Sequence, residues 1–446
     1  MFKLKGENQL KPSLKKACAV LLAGVLTVSL TACAQAPAQP AQPAAKAPIV
    51  IKYPTFQVGV NTSAPVLEAL VKDFNAKYGS EVKIEIEEIP GDANYVEKMK
   101  VLLSSDQLPD IVYAGGYNLL DMGLAKKSIV DLTPYLEKDS EWKAVFDKRT
   151  LDYNSREGKV YSLPDESSLI GYFYNKELFK KAGIDAPAKT WDEFFADCKK
   201  LKAAGITPLS MDTADSGWIT SLWQGGLIGT SGDTGNTFMD TMMPTDYQTP
   251  EFLTSTKQIQ TMLKEYTTPD AIGGKYENGA NNFLSGKTAM IANGVWMTGD
   301  FSDETKTAKG FADKVGVAMY PGDGMYNAPM LGYFIAAKDP AHIEASVKVL
   351  KYLTSKESQM LALSKVGRVP SSPTVKPDAE ITKKYPLLAD ALTLSGTAKH
   401  QFNYLQATMY PNVNDLYSQD LPALAAGKMS PDDFCKALSD AAKKNK

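Results

Sequence analysis

From Ile49 onward, apolar and polar positions switch between a two-residue and a helical period. IVIKYPTFQVGV (49–60) reads as a strand or a bent pair of strands. Pro65 then opens a stretch in which Leu67, Leu70, Val71, Phe74 and Tyr78 share one helical face, and Gly79 closes it. VKIEIEEI (82–89) alternates apolar with charged residues, as a half-buried strand does. Residues 94–104 return to the helical period, and DIVYAGG (110–116) is a short apolar strand that runs into a glycine turn. Strand, helix, strand, helix in this order predicts an α/β region with a mostly parallel sheet. Ligands of such sheets sit beyond the carboxyl ends of the strands, so the turns at 61–63 and 114–117 are the first candidates for a site.

A second unit begins near Lys159. LIGYFYN (169–175), TPLSM (207–211), TAMIAN (288–293) and LGYFIAAKD (331–339) read as strands. Thr190 and Glu193 have the spacing of a capping box, ahead of a helix that buries Trp191, Phe194, Phe195, Cys198 and Leu201. A helix over 341–354 turns Ile343, Val347 and Leu350 inward, and the C-terminal third reads as helical with proline breaks. A chain of 446 residues that is 44% hydrophobic can bury two cores rather than one.

The amino terminus follows a different pattern. Residues 1–16 carry five lysines against one glutamate, and 17–30 (ACAVLLAGVLTVSL) are apolar. That run falls short of the roughly 20 residues of a membrane-spanning helix and fits an export signal. Leu30-Thr31-Ala32-Cys33 follows, which resembles the lipobox of bacterial lipoproteins. The resemblance implies that Cys33 is acylated and becomes the new amino terminus. The expected layout is a signal peptide over 1–32 and a lipid-anchored Pro/Ala linker over 33–48. Such a linker reaches up to roughly 45 Å. The expected location is the cell envelope, on the outer face of the cytoplasmic membrane, held there through the lipid only.

Composition removes several classes of function. The net charge of −2, with no basic block beyond the first residues, gives no footprint for a nucleic acid. Four cysteines and two histidines form neither a disulfide framework nor a zinc spacing. LSGKT (284–288) ends like a phosphate-binding loop, but the required upstream glycine is Asn281. The glycines of GTSGDTG (229–235) do not follow the dinucleotide fingerprint, and no GxSxG occurs. No cofactor is expected.

Three segments carry a resemblance. Residues 158–211 (GKVYSLPDESSLIGYFYNKELFKKAGIDAPAKTWDEFFADCKKLKAAGITPLSM) resemble the signature region of extracellular solute-binding proteins, family 1. These are the carbohydrate receptors of bacterial ABC importers, related to maltose-binding protein. FLSGKTAMIANGVWM (283–297) is similar to a second landmark, a strand ending at Gly-x-Trp, and LGYFIAAKDPAHIEASVKVLKYLTSKESQ (331–359) to a third. The resemblance implies a two-lobed, type II periplasmic-binding-protein-like α/β fold, with discontinuous lobes joined by hinge strands. Lobe 1 is expected over 49–158 plus about 331–375, and lobe 2 over 159–330 plus about 376–446. Crossings are expected near 157–160, 328–332 and around 375. It further implies a monomer that binds a sugar between the lobes and docks on ABC-transporter permease subunits, with no catalysis.

A sugar needs aromatic faces for its C–H patches and planar hydrogen-bonding groups for its hydroxyls. Of five tryptophans, Trp191 and Trp142 read as packing. Trp218 and Trp223 follow the TPLSM strand, and Trp296 holds the Gly-x-Trp position. Polar candidates are Asp165, Glu166, Ser167 and Ser168 in LPDESS, Asp212 and Asp215 before Trp218, and Asn61 after the first strand. Tyr113 and Tyr117 bracket the Gly115-Gly116 turn, Tyr333 lies at the return crossing, and Arg368 is able to fork onto two adjacent hydroxyls. Other readings remain beside the sugar receptor: a receptor for a polyamine or peptide, a ligand-sensing co-receptor and, remotely, a glycosidase with two carboxylates. The acids and tryptophans of LPDESS and DTADSGW make the polyamine the main competitor.

Overall fold

The computed structural model describes residues 47–445, apart from 60, 62 and 116–118. Cys33, most of the linker and Tyr117 therefore lie outside the described residues. The remainder forms two large hydrophobic cores with a smaller cluster beside them.

The first core grows from the amino-terminal alternation. The strand Ile49–Thr55 pairs in parallel with Val82–Glu88, with Ile49 opposite Val82 and Thr55 opposite Glu88. The helix Ala64–Tyr78 between them has its proline in the first turn, where the missing N–H costs nothing, and it buries Val66, Leu67, Leu70, Val71 and Phe74. The next strand, Ile111–Gly115, departs from the expected parallel arrangement. It runs antiparallel to Leu331–Ile335, with Tyr113 opposite Tyr333. The partner comes from a segment that returns to this core some 200 residues later, and a strand that re-enters from the other core is free to run either way. The helices Pro340–Leu353 and Lys356–Val366 follow and add Ala345, Val349, Leu350, Leu353 and Ala362 to this core.

The second core surrounds a six-stranded mixed sheet. Its centre is Ser167–Asn175, which pairs antiparallel with Thr288–Gly294 on one edge and with Gly324–Pro329 and Val315–Ala318 on the other. Thr207–Ser210 extends the sheet in parallel beyond Thr288–Gly294. His400–Phe402 extends the opposite side in parallel with Gly324–Pro329, so the C-terminal third, expected to be helical, also contributes a strand. The predicted capping box is present: Thr190 Oγ1 accepts from Glu193 N–H at 3.2 Å, and Glu193 accepts from Thr190 N–H at 3.1 Å. The helix it starts, Trp191–Ala203, buries Phe194, Cys198 and Leu201, while Trp191 and Phe195 are half-buried.

Three stretches of chain run between the cores. Leu163 and Tyr333 exchange both main-chain hydrogen bonds at 3.0 Å, and Ser167 N–H donates to Val369 O at 3.1 Å. Gly332 sits where these stretches touch. A Cβ there would lie 2.0 Å from Leu163 O, so only glycine admits the approach. The third stretch lands on the smaller cluster, where Val369 and Val375 join Leu169, Met325 and Leu388.

Candidate functional site

Residues on these crossing stretches meet in a buried ionic cluster. Arg368 Nη1 donates to Asp165 Oδ2 at 2.7 Å, and its Nε lies 3.5 Å from Glu166 Oε2. Tyr113 Oη, from the first core, donates to Glu166 Oε1 at 2.7 Å. The Arg368 and Asp165 side chains are 7% and 5% exposed, whereas Glu166 keeps 25% and lines a cavity of about 540 Å³. Burial pushes the Asp165 carboxyl above its usual range, Arg368 opposes this, and Glu166 adds to it. Tyr333 is buried against Tyr113 with ring centroids 5.2 Å apart, and so shapes the cluster from below. Arg368 is thus held between two carboxylates through Nη1 and Nε, which leaves its buried Nη2 without a hydrogen-bond partner.

The aromatic wall comes from the carboxyl ends of strands. Trp296 follows Thr288–Gly294 in a short 3-10 turn, Val295–Met297. A Cβ on Gly294 would lie 2.0 Å from the indole, so the glycine of Gly-x-Trp is what lets the ring fold back over its own strand. Trp296 remains 50% exposed on the wall of the 540 Å³ cavity. Trp218 is 6.2 Å away at an interplanar angle of 44°, and Tyr404 stands edge-on to Trp218 at 5.3 Å. Burial raises the Tyr404 phenol to about 12.

Trp218 opens the helix Trp218–Gly229, and Asp212 holds that helix end. Asp212 Oδ1 accepts from Thr220 N–H at 3.1 Å, beneath a helix whose N–H groups favour a negative charge. Burial nevertheless pushes this carboxyl up to about 7, against the main-chain N–H groups of Thr220, Ile219 and Trp218. Asp212 therefore positions Trp218 and does not itself reach the cavity. Asp215, beside it, pairs with Lys275 at 3.3 Å. Trp223, on the same helix, is fully buried with Tyr172, Phe194 and Tyr320 and offers no face to a ligand. Its indole donates to Ser210 O at 3.4 Å, and the bulk of the ring makes it a core anchor. Trp142 and Trp191 are packed as expected, donating to Thr354 and Thr230.

The remaining candidates divide. Asn61 Oδ1 accepts from Ser63 N–H at 2.9 Å and closes the turn before the first helix, while Ser63 reaches the 540 Å³ cavity. Ser167 lines that cavity too. Ser168, one residue on, points the other way, with Oγ 3.1 Å from Met330 Sδ.

A second cavity, about 440 Å³, is lined by Trp218, whose ring centroid lies 6.2 Å from that of Trp296 on the first. Gly115, Asp121, Tyr153 and Arg156 line it from the first core, Met330 from the crossing stretch beside Leu331, and Trp218, Tyr404, Gln406, Met242, Met243 and Met409 from the second core. Arg156 binds Asp121 with two donors, at 2.7 and 3.2 Å. Of these, the sequence pointed only to Trp218 and to Gly115 in the turn at 114–117. Tyr404 had a findable signal, since it follows the apolar end of the short strand His400–Phe402. Arg156 and Asp121 had none. Among the described residues no cluster of three or more His, Cys, Asp or Glu is arranged to hold a metal, and no helix is long and apolar enough to cross a membrane.

The family described as bacterial extracellular solute-binding protein matches residues 69–389. The sn-glycerol-3-phosphate-binding periplasmic protein of Brucella melitensis is 25% identical over 408 residues, covering 85% of this chain and 88% of that protein. Two solved structures share the fold with a TM-score of 0.72. A chitin oligosaccharide binding protein, 24% identical, covers 90% of this chain and 99% of its own. A solute-binding protein of Streptococcus pneumoniae in complex with the blood group A-trisaccharide, 22% identical, covers 89% and 100%.

Two outcomes follow from the charges. Arg368→Ala leaves the buried Asp165 carboxyl without its partner, beside the Glu166 carboxylate, and is expected to lower unfolding stability by about 3–5 kcal/mol. In urea unfolding, Arg368→Ala with Asp165→Ala should lose less than the two single losses added together, and strict additivity would contradict the coupling. For Asp212 the folded carboxyl titrates near 7, against 3.8 for an ordinary one. Its protonated form is the favoured one, so its contribution is fully present below the ordinary value and is lost as pH rises through about 7. The stability of Asp212→Asn relative to the wild type should therefore rise across that window. A constant difference would place the Asp212 pKa in the ordinary range.

Proposed function

The chain belongs to the bacterial extracellular solute-binding proteins, and from that premise we propose that it captures a carbohydrate between its two cores for an ABC importer. The single observation that carries this reading is the exposed Trp296, backed by Trp218 and Tyr404 and facing the half-buried Glu166 across one cavity. Indole faces take the C–H patches of a pyranose, and Glu166, Ser63, Ser167 and Thr298 supply hydrogen-bonding groups at the same cavity. The sugars in the names of the two similar structures support the same class of ligand.

The polyamine reading lacks an acidic excess. Asp121 is bound by Arg156, Asp212 lies under a helix end, and the first cavity carries Glu166 and Asp313 against Arg368 and Lys384. Glu166 already accepts from Tyr113 and lies against Arg368, whose positive charge beside it favours a hydroxyl over a second cation as the next donor. Capture works by differential contact: a ligand that touches both cores favours the arrangement in which they close on it. In this account Cys33 carries the lipid, residues 34–48 tether the receptor to the outer face of the membrane, and permease subunits receive the loaded form.

A thermal-shift screen of the purified protein against mono- and oligosaccharides, spermidine, short peptides and sn-glycerol 3-phosphate tests the ligand class. A sugar at 100 times its dissociation constant should add about 2.7 kcal/mol of stability. Trp296→Ala should weaken that sugar at least tenfold, and Gly294→Ala, which drives the indole off its strand, should do the same. A shift with spermidine and with no sugar would overturn the reading.

A further inference from the structure

Among the described residues, four large apolar side chains are exposed: Val101, Met242, Ile272 and Trp296. Trp296 serves the first cavity. Met242 lines the second, together with Met243, Met330 and Met409. The four methionines come from three separate parts of the chain. Met242 and Met243 follow the helix Asp233–Asp240, Met330 links the strands Gly324–Pro329 and Leu331–Ile335, and Met409 follows the turn Leu405–Thr408. Thioethers are apolar, polarisable and adaptable, and they favour aromatic and aliphatic surfaces.

Met243 adds a second observation. Its φ is +52°, in the left-handed region where a side chain other than glycine, asparagine or aspartate is uncommon. Its N–H donates to Thr408 O at 2.6 Å, which fixes the backbone there and ties the loop to the segment that carries Tyr404 and Met409. Glycine would relieve this conformation, yet a methionine occupies it and reaches the cavity. Tyr153 and the Arg156–Asp121 pair, with Gln406 and Asn414, supply polar groups to the same cavity. The compartment is mixed: it offers partners for hydroxyls and a thioether surface for hydrocarbon.

We propose that this second cavity seats an apolar substituent, an acyl or aryl group, carried by the carbohydrate that lies on Trp296. The ligand then runs from Glu166, past the Trp218–Trp296 pair, to the methionines, with its hydroxyls turned to Tyr153 and Arg156. The inference rests on the carbohydrate reading and narrows it to substituted sugars.

Isothermal titration calorimetry with matched probes tests it. The pairs are cellobiose, maltose, lactose and N,N′-diacetylchitobiose, each with its 4-nitrophenyl glycoside, and N,N′-diacetylchitobiose with the de-acetylated disaccharide. In whichever series binds, the substituted member should be about tenfold tighter than its parent, the return on burying such a group among side chains. Met242→Ser with Met243→Gly should cut that ratio to threefold or less. Met243→Gly suits the local backbone, so the fold survives the change. Substituted and parent probes of equal affinity, or a ratio unchanged in the methionine variant, would overturn the compartment and leave the sugar reading standing. Where none of these parents binds, the sugar that raises the melting temperature in the thermal-shift screen and its 4-nitrophenyl glycoside take their place, and a protein that no sugar stabilises overturns both.

Discussion

Arg368 is the residue on which the arrangement of the cleft depends. It sits on the last stretch of chain to pass between the cores and grips Asp165 and Glu166 on the first. Through Glu166 it reaches Tyr113 on the first core. One guanidinium therefore ties two crossing stretches and a strand end together in a place that water hardly reaches. Its planar fork suits two adjacent carboxylates, where a lysine would meet only one. Ion pairs of this burial are expensive to assemble and more expensive to break, so their return here is geometric. They hold Glu166 at the cavity wall between Tyr113 and Arg368.

Around that fixed point, the aromatic wall is built by local backbone devices. Gly294 yields its Cβ space to the Trp296 indole. Asp212 anchors the helix end from which Trp218 projects. The short strand His400–Phe402 delivers Tyr404 to the edge of Trp218. Each device lies at the carboxyl end of a strand, where side chains of an α/β fold converge and main-chain groups are left to be satisfied. The site is thus assembled from parts of the chain far apart in sequence, and the mixed sheet beneath is what brings them to one place.

Local signals in the sequence were legible, and long-range pairings were not. The capping box at Thr190 and Glu193, the helix face of Leu67, Leu70 and Phe74, and the Trp296 position all depend on neighbours within a few residues. The direction of Ile111–Gly115 depends on a partner from the far end of the chain, so a local βαβα pattern pointed to a parallel neighbour where an antiparallel one stands. Trp218 and Trp223 show the same limit at one helix. Five residues apart, they point to different faces, and only the packing of Tyr172 and Tyr320 settles that Trp223 belongs to the core. Arg368 looked like a free fork because its two carboxylates lie 200 residues upstream. The methionine wall, gathered from three loops, has no periodic signature at all.

The central claim is that a sugar lies on Trp296 within reach of Glu166. The most direct measurement is a crystal structure of the protein with whichever oligosaccharide raises its melting temperature. The account predicts a pyranose ring stacked on the Trp296 indole, a hydroxyl bonded to Glu166, and the Arg368 pairs intact. A ligand seated elsewhere, for instance in the cavity of about 240 Å³ lined by Arg149, Asn327 and Ser371, with Trp296 left bare, would contradict it.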